Sequence, residues 1–228
     1  MAVTAGLSLL MLILLPVAAQ KLPVYVEIGR SLKLNPNYTK AITMLTWKHK
    51  RNIIAEYIKD SDPLEYIGDL KGRTNVDLST GVLTISNVNQ SDSGEFTVEI
   101  NHKTLPVSFI VAGIRKLDGY PVEVSVRPKG CSSLTSKNCT LVCGGQFQGA
   151  EPVQYFWKTG KTEQWKEGNK TFSISFTKNT KRFSDYTCKV KNPISEKQSK
   201  PFQSSSGPVP LPAILLVAVL AIGAAFVV

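Results

Sequence analysis

Residues 91 to 100, SDSGEFTVEI, have the sequence pattern of a half-buried β-strand. Phe96 and Val98 alternate with polar residues, as in a strand that buries one of its faces. Similar short runs recur about every ten residues on both sides of this stretch, with turn residues between them and no convincing long helical pattern. This spacing predicts an all-β chain of antiparallel sandwiches. The runs are PVYVEI, RSLKLNP, MLTWKHK, NIIAEYI, TNVDLS, GVLTISNV, EFTVEI and LPVSFIVAG, then VEVSV, CTLVCGG, VQYFWKTG, KTFSISF and DYTCKVKNP.

The second half of the chain carries the more specific pattern. Cys143 is followed by Trp157 and then by DYTC, which ends at Cys188 and places Tyr186 two residues before that cysteine. A Cys, Trp, Cys order with such a tyrosine is typical of an immunoglobulin-like sandwich whose two sheets are joined by a disulfide. The pattern predicts a Cys143–Cys188 bridge. By elimination the two other cysteines, Cys131 and Cys139, pair with each other, although four cysteines allow three connectivities.

The first half repeats this pattern without cysteines. Trp47 takes the place of the core tryptophan, Leu34 stands thirteen residues before it where the first cysteine belongs, and residues 92 to 98 follow D-x-G-x-Y-x-C with two replacements. The second cysteine position is occupied by Val98. We expect Leu34 and Val98 to fill the space of the missing disulfide. The predicted fold is therefore two tandem immunoglobulin-like sandwiches, variable-type without a disulfide and then constant-like, over residues 20–113 and 114–203.

Both ends of the chain are apolar. Residues 1–19 have no charged side chain and end in small residues, which predicts a signal peptide and a mature chain that begins at Gln20. Residues 204–228 combine small residues, a short spacer and an apolar tail, which predicts glycosylphosphatidylinositol (GPI) attachment at Ser205 or Ser204. A membrane-spanning segment without a cytoplasmic tail is the alternative. Either reading predicts a protein on the extracellular face of the plasma membrane.

Secretion changes how several other residues are interpreted. Cysteines in a secreted chain form disulfides rather than cytosolic metal or redox sites. The four Asn-x-Ser/Thr sequons become predicted glycosylation sites. These are Asn37, Asn89, Asn138 and Asn169.

The histidines argue against catalysis. His49 and His102 are the only two in the chain; lysine adjoins each, no Ser or Cys nucleophile motif is near, and their spacing does not suit a metal site. The sequence therefore predicts a protein that is not an enzyme, without cofactor or metal.

Charge is unevenly distributed. Residues 20–113 contain 11 Lys or Arg against 10 Asp or Glu, whereas residues 114–205 contain 16 against 7. We expect no nucleic-acid partner, because the basic half lacks the fold and the interleaved stacking aromatics that such binding uses. The excess of lysine leaves one alternative function open: a surface protein that binds polyanions through its basic second domain.

Three longer stretches carry a resemblance to a known family: LTWKHKRNIIAEYI, GDLKGRTNVDLSTGVLTISNVNQSDSGEFTVEI and YTCKVKNPISEKQS. Together they resemble the signalling lymphocyte activation molecule (SLAM) family of lymphocyte adhesion receptors, and most closely its anchored ligands of the lymphocyte function-associated antigen three type. The resemblance implies a distal domain without a disulfide and a membrane-proximal domain with two. It also implies an ion pair between Arg73 and Asp92. The chain departs from the family in having no cysteine after Cys188, so the extra bridge cannot tie the first and last strands of the second domain.

The resemblance implies a function as well. It predicts a cell-surface ligand that binds a receptor of the same immunoglobulin family on an apposed immune cell, contributing to cell–cell contact and lymphocyte costimulation. The contact would use the face of strands C, C′, F and G in the first domain. Strand alternation assigns to this face Lys48, Lys50, Thr97, Glu99 and Asn101. On C′, where alternation does not fix the phase, Glu56 and Lys59 are the expected exposed charges. Self-recognition through the same face remains an alternative, because charges of both signs permit it.

Overall fold

The computed structural model describes residues 20–131, 136–161, 163–176 and 185–203. These residues form β-strands and three short 3-10 turns, and they contain no α-helix. The fold is therefore all-β, as predicted. No helix within the described ranges is long and apolar enough to cross a membrane. The predicted signal peptide and the predicted attachment sites Ser204 and Ser205 lie outside these ranges.

The chain divides into two compact units. The described part of the first runs to Tyr120 and also includes Gln146–Val153 and Lys191–Glu196. The second takes Pro121–Gly145, Gln154–Val190 and the residues from Lys197 onward.

The first unit is a sandwich of a six-stranded and a three-stranded sheet. The larger sheet has the order β1-β9-β8-β3-β4-β5, and the smaller one β2-β7-β6. Strands β3, β4, β8 and β9 correspond to C, C′, F and G above. The strands are β1 Gln20–Glu27, β2 Leu32–Leu34, β3 Met44–His49, β4 Asn52–Ile58, β5 Asp62–Tyr66, β6 Thr74–Val76, β7 Leu83–Ile85, β8 Gly94–Ile100 and β9 Lys103–Ile114.

Strand β1 extends the six-stranded sheet by an unusual pairing. It runs parallel to β9, from Gln20 opposite Val107 to Glu27 opposite Ile114, whereas the other neighbouring strands of this sheet pair antiparallel. Leu22 and Val24 pack against the core, so Lys21, Pro23 and Tyr25, which alternate with them, face outward. The outward surface is therefore wider than the four strands assigned from sequence.

The core of the first unit is built around Trp47. Its side chain is completely buried, and its indole Nε1 donates a hydrogen bond to the carbonyl of Gly81 at 3.0 Å. Leu34 and Val98 are each 1% exposed and belong to the same core, with Val98 directly opposite Trp47 on the neighbouring strand. Burying such side chains contributes about 1.5 to 3 kcal/mol each. Their burial therefore compensates for most of the roughly 4 kcal/mol of stability that a disulfide closing the same loop would contribute.

A buried carboxylate reinforces the turn before β8. Asp92 is 3% exposed and accepts hydrogen bonds from both terminal nitrogens of Arg73, each at 2.8 Å, which confirms the predicted ion pair. It also accepts a hydrogen bond from the backbone N–H of Asn89, and the side chain of Asn89 caps the short 3-10 turn. Burial acts to raise the pKa of Asp92, but the hydrogen bonds from Arg73 and Asn89 and the charge of Arg73 together hold that pKa below its ordinary value. The carboxylate is therefore ionised in the folded domain.

The remaining strands form two further sheets. One has the order β10-β11-β14, and the other β13-β12-β15-β16, with β17 also pairing with β15. The strands are β10 Glu123–Arg127, β11 Asn138–Gly144, β12 Gln154–Thr159, β13 Lys166–Gly168, β14 Thr171–Ser175, β15 Asp185–Asn192, β16 Ser195–Gln198 and β17 Phe202–Gln203.

Disulfides take part in holding the second unit together. Cys143 on β11 is bonded to Cys188 on β15, which joins the two sheets, and both residues are completely buried. Cys131 is bonded to Cys139, so the structure contains the two bridges predicted from sequence. Trp157 is buried as well, and its Nε1 donates to the carbonyl of Asn169 at 2.9 Å.

Candidate binding face

Alternation along the central strands separates the core from an outward face. Trp47 on β3 and Phe96 and Val98 on β8 are buried in the core. Their neighbours Lys48 and Thr97 therefore point to the opposite surface of the six-stranded sheet. We call this surface the outward face.

A first row of residues crosses the outward face at the level of Lys48. The strand register places in this row, from β1 to β4, Lys21, Ser108, Thr97, Lys48 and Ile53. Its charged members are both lysines, so we call it the basic row. The hydroxyl of Ser108 is buried within it and has no hydrogen-bond partner among the described residues.

A second row lies two residues from the basic row on β3 and β8, about 7 Å away. It consists, from β9 to β5, of Thr104, Glu99, Thr46, Glu56 and Glu65. Its charged members are all glutamates, so we call it the acidic row. Glu56 and Glu65 stand directly opposite each other, an arrangement of like charges that is destabilising in a sheet.

Two ion pairs link charges within the outward face. Lys48 Nζ lies 3.6 Å from a carboxylate oxygen of Glu99, with side chains 36% and 29% exposed. Lys21 Nζ lies 3.9 Å from Glu95. Pairs this exposed contribute at most about 1 kcal/mol each, so a partner can replace them at small cost. In the described part of the chain, no Lys or Arg forms an ion pair with Glu56 or Glu65.

Apolar side chains are exposed among these charges. Ile53 in the basic row is 37% exposed, and Ile110, opposite Glu95 on the next strand, is 36% exposed. Tyr25 and Ile67 are similarly exposed in the same unit. Burying large side chains at the centre of an interface supplies much of its binding energy. The outward face thus offers apolar contacts as well as charge.

The structure brings four of the predicted residues together in the two rows. Lys48 and Thr97 lie in the basic row, and Glu56 and Glu99 in the acidic row. Lys59 lies just beyond β4, in the turn to β5, where its backbone N–H donates to the carbonyl of Thr43. It is therefore at the margin of the face rather than within either row.

Lys50 occupies the turn between β3 and β4, outside the rows. Its ammonium donates a hydrogen bond to the carbonyl of Ser91 at 2.9 Å, and its side chain covers Gly94. A Cβ at Gly94 would lie 2.6 Å from the Lys50 side chain, so glycine makes this close approach possible. These contacts direct Lys50 toward the turn before β8.

Asn101 hydrogen-bonds the turn between β8 and β9 to the segment before β3. Its Oδ1 accepts the backbone N–H groups of Thr43 and Met44 and the Thr43 hydroxyl, and its Nδ2 donates to Tyr38 and to the carbonyl of Ala41. Both ends of the amide are therefore engaged inside the domain. The hydrogen bonds assign Asn101 a structural role.

The four predicted glycosylation sites are exposed. Asn37 lies between β2 and β3, and Asn89 lies immediately before the 3-10 turn that precedes β8. Asn138 is at the start of β11, and Asn169 precedes β14. Neither Asn37 nor Asn89 is on a strand of the six-stranded sheet, so glycans at these residues would start away from the two rows.

The two histidines have different surroundings, and the buried Nε2 of His49 has no hydrogen-bond partner among the described residues. His49 stacks on Phe96, with ring centres 4.3 Å apart, and its pKa is lowered chiefly because burial disfavours the charged form. His102 is exposed in the turn between β8 and β9. Within the described residues, no group of three or more His, Cys, Asp or Glu side chains could hold a metal ion.

The chain is similar in fold to solved immunoglobulin-like structures. One is the CD2-binding domain of CD58 (lymphocyte function-associated antigen 3), with a TM-score of 0.58 and 17% identity over 83% of this chain and 100% of that one. Another is murine CEACAM1b, with a TM-score of 0.60 and 18% identity over 79% and 94%. A third is a mouse coronavirus receptor-binding domain complexed with its murine receptor. Its TM-score is 0.58, and its sequence is 16% identical over 79% of this chain and 94% of that one. The sequence matches no protein-family model and no curated protein. At these identities the likeness shows the fold.

Proposed function

We propose that this chain is a cell-surface adhesion ligand whose outward face binds a receptor of the same immunoglobulin family on an apposed immune cell. The binding contributes to cell–cell contact and to lymphocyte costimulation. The observation that carries the proposal is the basic row beside the acidic row on one sheet surface, with exposed isoleucines among the charges. Likeness in fold to a domain that binds CD2 supports it.

The composition of the outward face determines how such binding works. Charges of both signs increase the encounter rate and select partners, but desolvation offsets much of their contribution to affinity. Ile53 and Ile110 supply apolar area that loses water in the complex. We expect a weak, rapidly reversible contact with a dissociation constant near 1 µM, or about 8 kcal/mol. Many copies on two membranes then give useful adhesion through multivalency.

Attachment to the membrane is a further part of the proposal. A lipid anchor at Ser205 or Ser204 would hold the protein on the extracellular face of the plasma membrane, and signalling would belong to the partner. Phosphatidylinositol-specific phospholipase C tests this on cells that express the full chain. Release of the protein from the cells supports a lipid anchor, and complete retention indicates a membrane-spanning segment.

Staining of cells tests the binding site. A multimer of residues 20–203 is applied to a panel of leukocytes beside its Lys48→Glu and Glu99→Lys variants. We expect either charge reversal to reduce staining at least tenfold, because it places a repulsive charge in one row. Lys33→Glu is the matched control, since Lys33 is an exposed strand residue of the three-stranded sheet. Equal staining by all four proteins would refute a site on the outward face.

Self-recognition is a second candidate, favoured by the order of the two rows. A two-fold axis lying in the contact plane, between the rows and parallel to them, places the basic row of one copy on the acidic row of the other. Each copy then contributes the same patch, as an isologous dimer requires. Homophilic adhesion through this face would need no separate receptor.

A charge swap distinguishes self-recognition from binding to a receptor. The double variant Lys48→Glu/Glu99→Lys keeps an ion pair inside the domain but exchanges the signs of the two rows at those positions. If adhesion is homophilic, beads coated with the variant aggregate with each other and no longer with wild-type beads. If the partner is a different receptor, the variant loses staining of cells and beads of either kind stay dispersed.

A further inference from the structure

The second unit carries a cluster of lysine and aromatic side chains on one sheet. Trp157 on β12 and Cys188 on β15 are buried in the core. The adjoining residues Phe156, Lys158 and Lys189 therefore lie on the opposite surface of these two neighbouring strands. All three are partly exposed.

Trp165 completes this cluster. Lys158 Nζ lies 5.1 Å and Lys189 Nζ 4.8 Å from the centre of the Trp165 ring, and Lys189 Nζ lies 5.6 Å from the centre of the Phe156 ring. These distances are within the range of cation–π attraction. We call the four residues Phe156, Lys158, Trp165 and Lys189 the lysine–tryptophan site.

The aromatic rings position the ammonium groups without neutralising them. A ring attracts a cation through its quadrupole and carries no net charge. Because both ammonium groups lie within 5.1 Å of one ring centre, they are less than about 10 Å apart. Two like charges held this close favour an anion that reaches both.

Acidic side chains also lie near the site: Asp185 shares β15 and its outward alternation with Lys189, and Glu163 is two residues before Trp165. Glu167 stands opposite Phe156 on the neighbouring strand, with Oε1 3.4 Å from the side-chain nitrogen of Gln154. These charges oppose the binding of an anion. The excess of basic over acidic residues in this half of the chain, 16 against 7 in residues 114–205, works in the other direction.

We infer that the lysine–tryptophan site binds an acidic polysaccharide, a chain of sugar units that carry sulfate or carboxylate groups. The ammonium groups contact the acidic substituents, and the parts of the rings that the ammonium groups leave uncovered offer apolar surface to a sugar. An anionic bilayer is attracted to surface lysines in proportion to their charge, and aromatic rings add to that binding where they project into the interface. Here both ammonium groups lie over the Trp165 ring, so the ring does not project beyond them. The combination of lysine with Trp165 therefore favours a glycan over a lipid surface. This site is separate from the outward face and does not depend on the proposed adhesion function.

Binding of defined oligosaccharides to the full chain, purified in detergent and immobilised, tests the inference. The probes are a heparin dodecasaccharide, which carries sulfate, and a hyaluronan dodecasaccharide, which carries only carboxylate. Lys158→Gln/Lys189→Gln should weaken binding of the preferred probe about tenfold, since it removes two charged contacts. Lys129→Gln/Lys137→Gln removes the same charge next to strands of the other sheet and should weaken binding less than threefold.

Two single variants sharpen the test. Trp165→Leu keeps every charge and should weaken binding about threefold or more, whereas Glu167→Gln removes one opposing charge and should strengthen binding about twofold. Thermal unfolding of each variant identifies any that has lost its fold, and the two Lys→Gln pairs then decide the outcome. An equal loss in both pairs, or no binding of either probe beside strong binding of phosphatidylserine vesicles by the chain in neutral nanodiscs, would overturn the inference.

Discussion

The two sandwiches hold their sheets together in different ways around equivalent tryptophans. In the second unit, Trp157 lies beside a disulfide that joins Cys143 and Cys188 across the core. In the first, Leu34 and Val98 are buried with Trp47, and residues 20–113 contain no cysteine. A covalent bridge stabilises mainly by restricting the unfolded chain, whereas packed side chains stabilise the folded state itself. The same architecture therefore responds to different perturbations in its two halves.

Removal of the inter-sheet disulfide should have the largest effect. Cys143→Ala/Cys188→Ala opens a loop of 45 residues and costs the second unit about 4 kcal/mol on the chain-entropy model. Calorimetry should show the transition of the second unit moving to lower temperature and that of the first unchanged. Equal shifts of both transitions would show that the units unfold together and would remove the basis of the comparison.

Truncation of Leu34 tests the packing of the first unit. Leu34→Ala leaves a cavity beside the core and should lower the free energy of unfolding by about 2 to 5 kcal/mol. Urea unfolding with and without reductant measures this loss, which should be the same in both conditions. Lys33→Ala, on the exposed side of the same strand, should change stability by less than about 0.5 kcal/mol. A loss below 1 kcal/mol for Leu34→Ala would mean that this position does not replace the disulfide.

Asp92 gives the first unit a sensitivity to acid. Because its folded pKa is lower than its ordinary value of 3.8, its contribution to stability is complete above that value and is lost as the pH falls through the folded pKa. Asp92→Asn should cost about 2 to 4 kcal/mol at pH 7, since Arg73 loses its charged partner. Unfolding measured from pH 7 to pH 2 should show a shallower acid loss in this variant than in wild type. Parallel pH profiles would assign the acid sensitivity to other carboxylates.

Charge reversal on the outward face should have the smallest effect on stability. Lys48→Glu breaks an exposed ion pair and places a glutamate beside Glu99, which should cost at most about 1 kcal/mol. Thermal unfolding of this variant should therefore resemble that of wild type. A loss above 2 kcal/mol would show that the face maintains the fold, and staining by the variant could not then be interpreted as a change at a binding site.

The strands with regular alternation could be predicted, and those without it could not. Phe96 and Val98 identify β8, whereas Asp62–Tyr66 carries a proline and few apolar residues, so β5 and its Glu65 were missed. The extent of β1 and its parallel pairing depend on contacts distant in sequence, so Lys21 was missed as well. In β5 only Leu64 and Tyr66 alternate with polar residues, a run too short to identify the strand beside Pro63.

Residues next to turns were the least predictable part of the candidate site. Alternation assigned Lys50 and Asn101 to the same surface as Lys48, but both lie just past the ends of strands and have positive φ. Beyond a strand end the two-residue period no longer determines direction. Local hydrogen bonds direct these side chains instead, to Ser91 for Lys50 and to the segment before β3 for Asn101.

Footprinting of carboxylates tests the binding face most directly. Residues 20–203 are labelled with a carbodiimide and an amine, alone and bound to a cell that the multimer stains, and mass spectrometry measures each site. Glu56 and Glu65 should lose most of their labelling in the bound state, while Glu123, exposed on β10, should be labelled equally in both. Unchanged labelling of Glu56 and Glu65 together with protection of Glu123 would contradict the account and move the contact to the second unit.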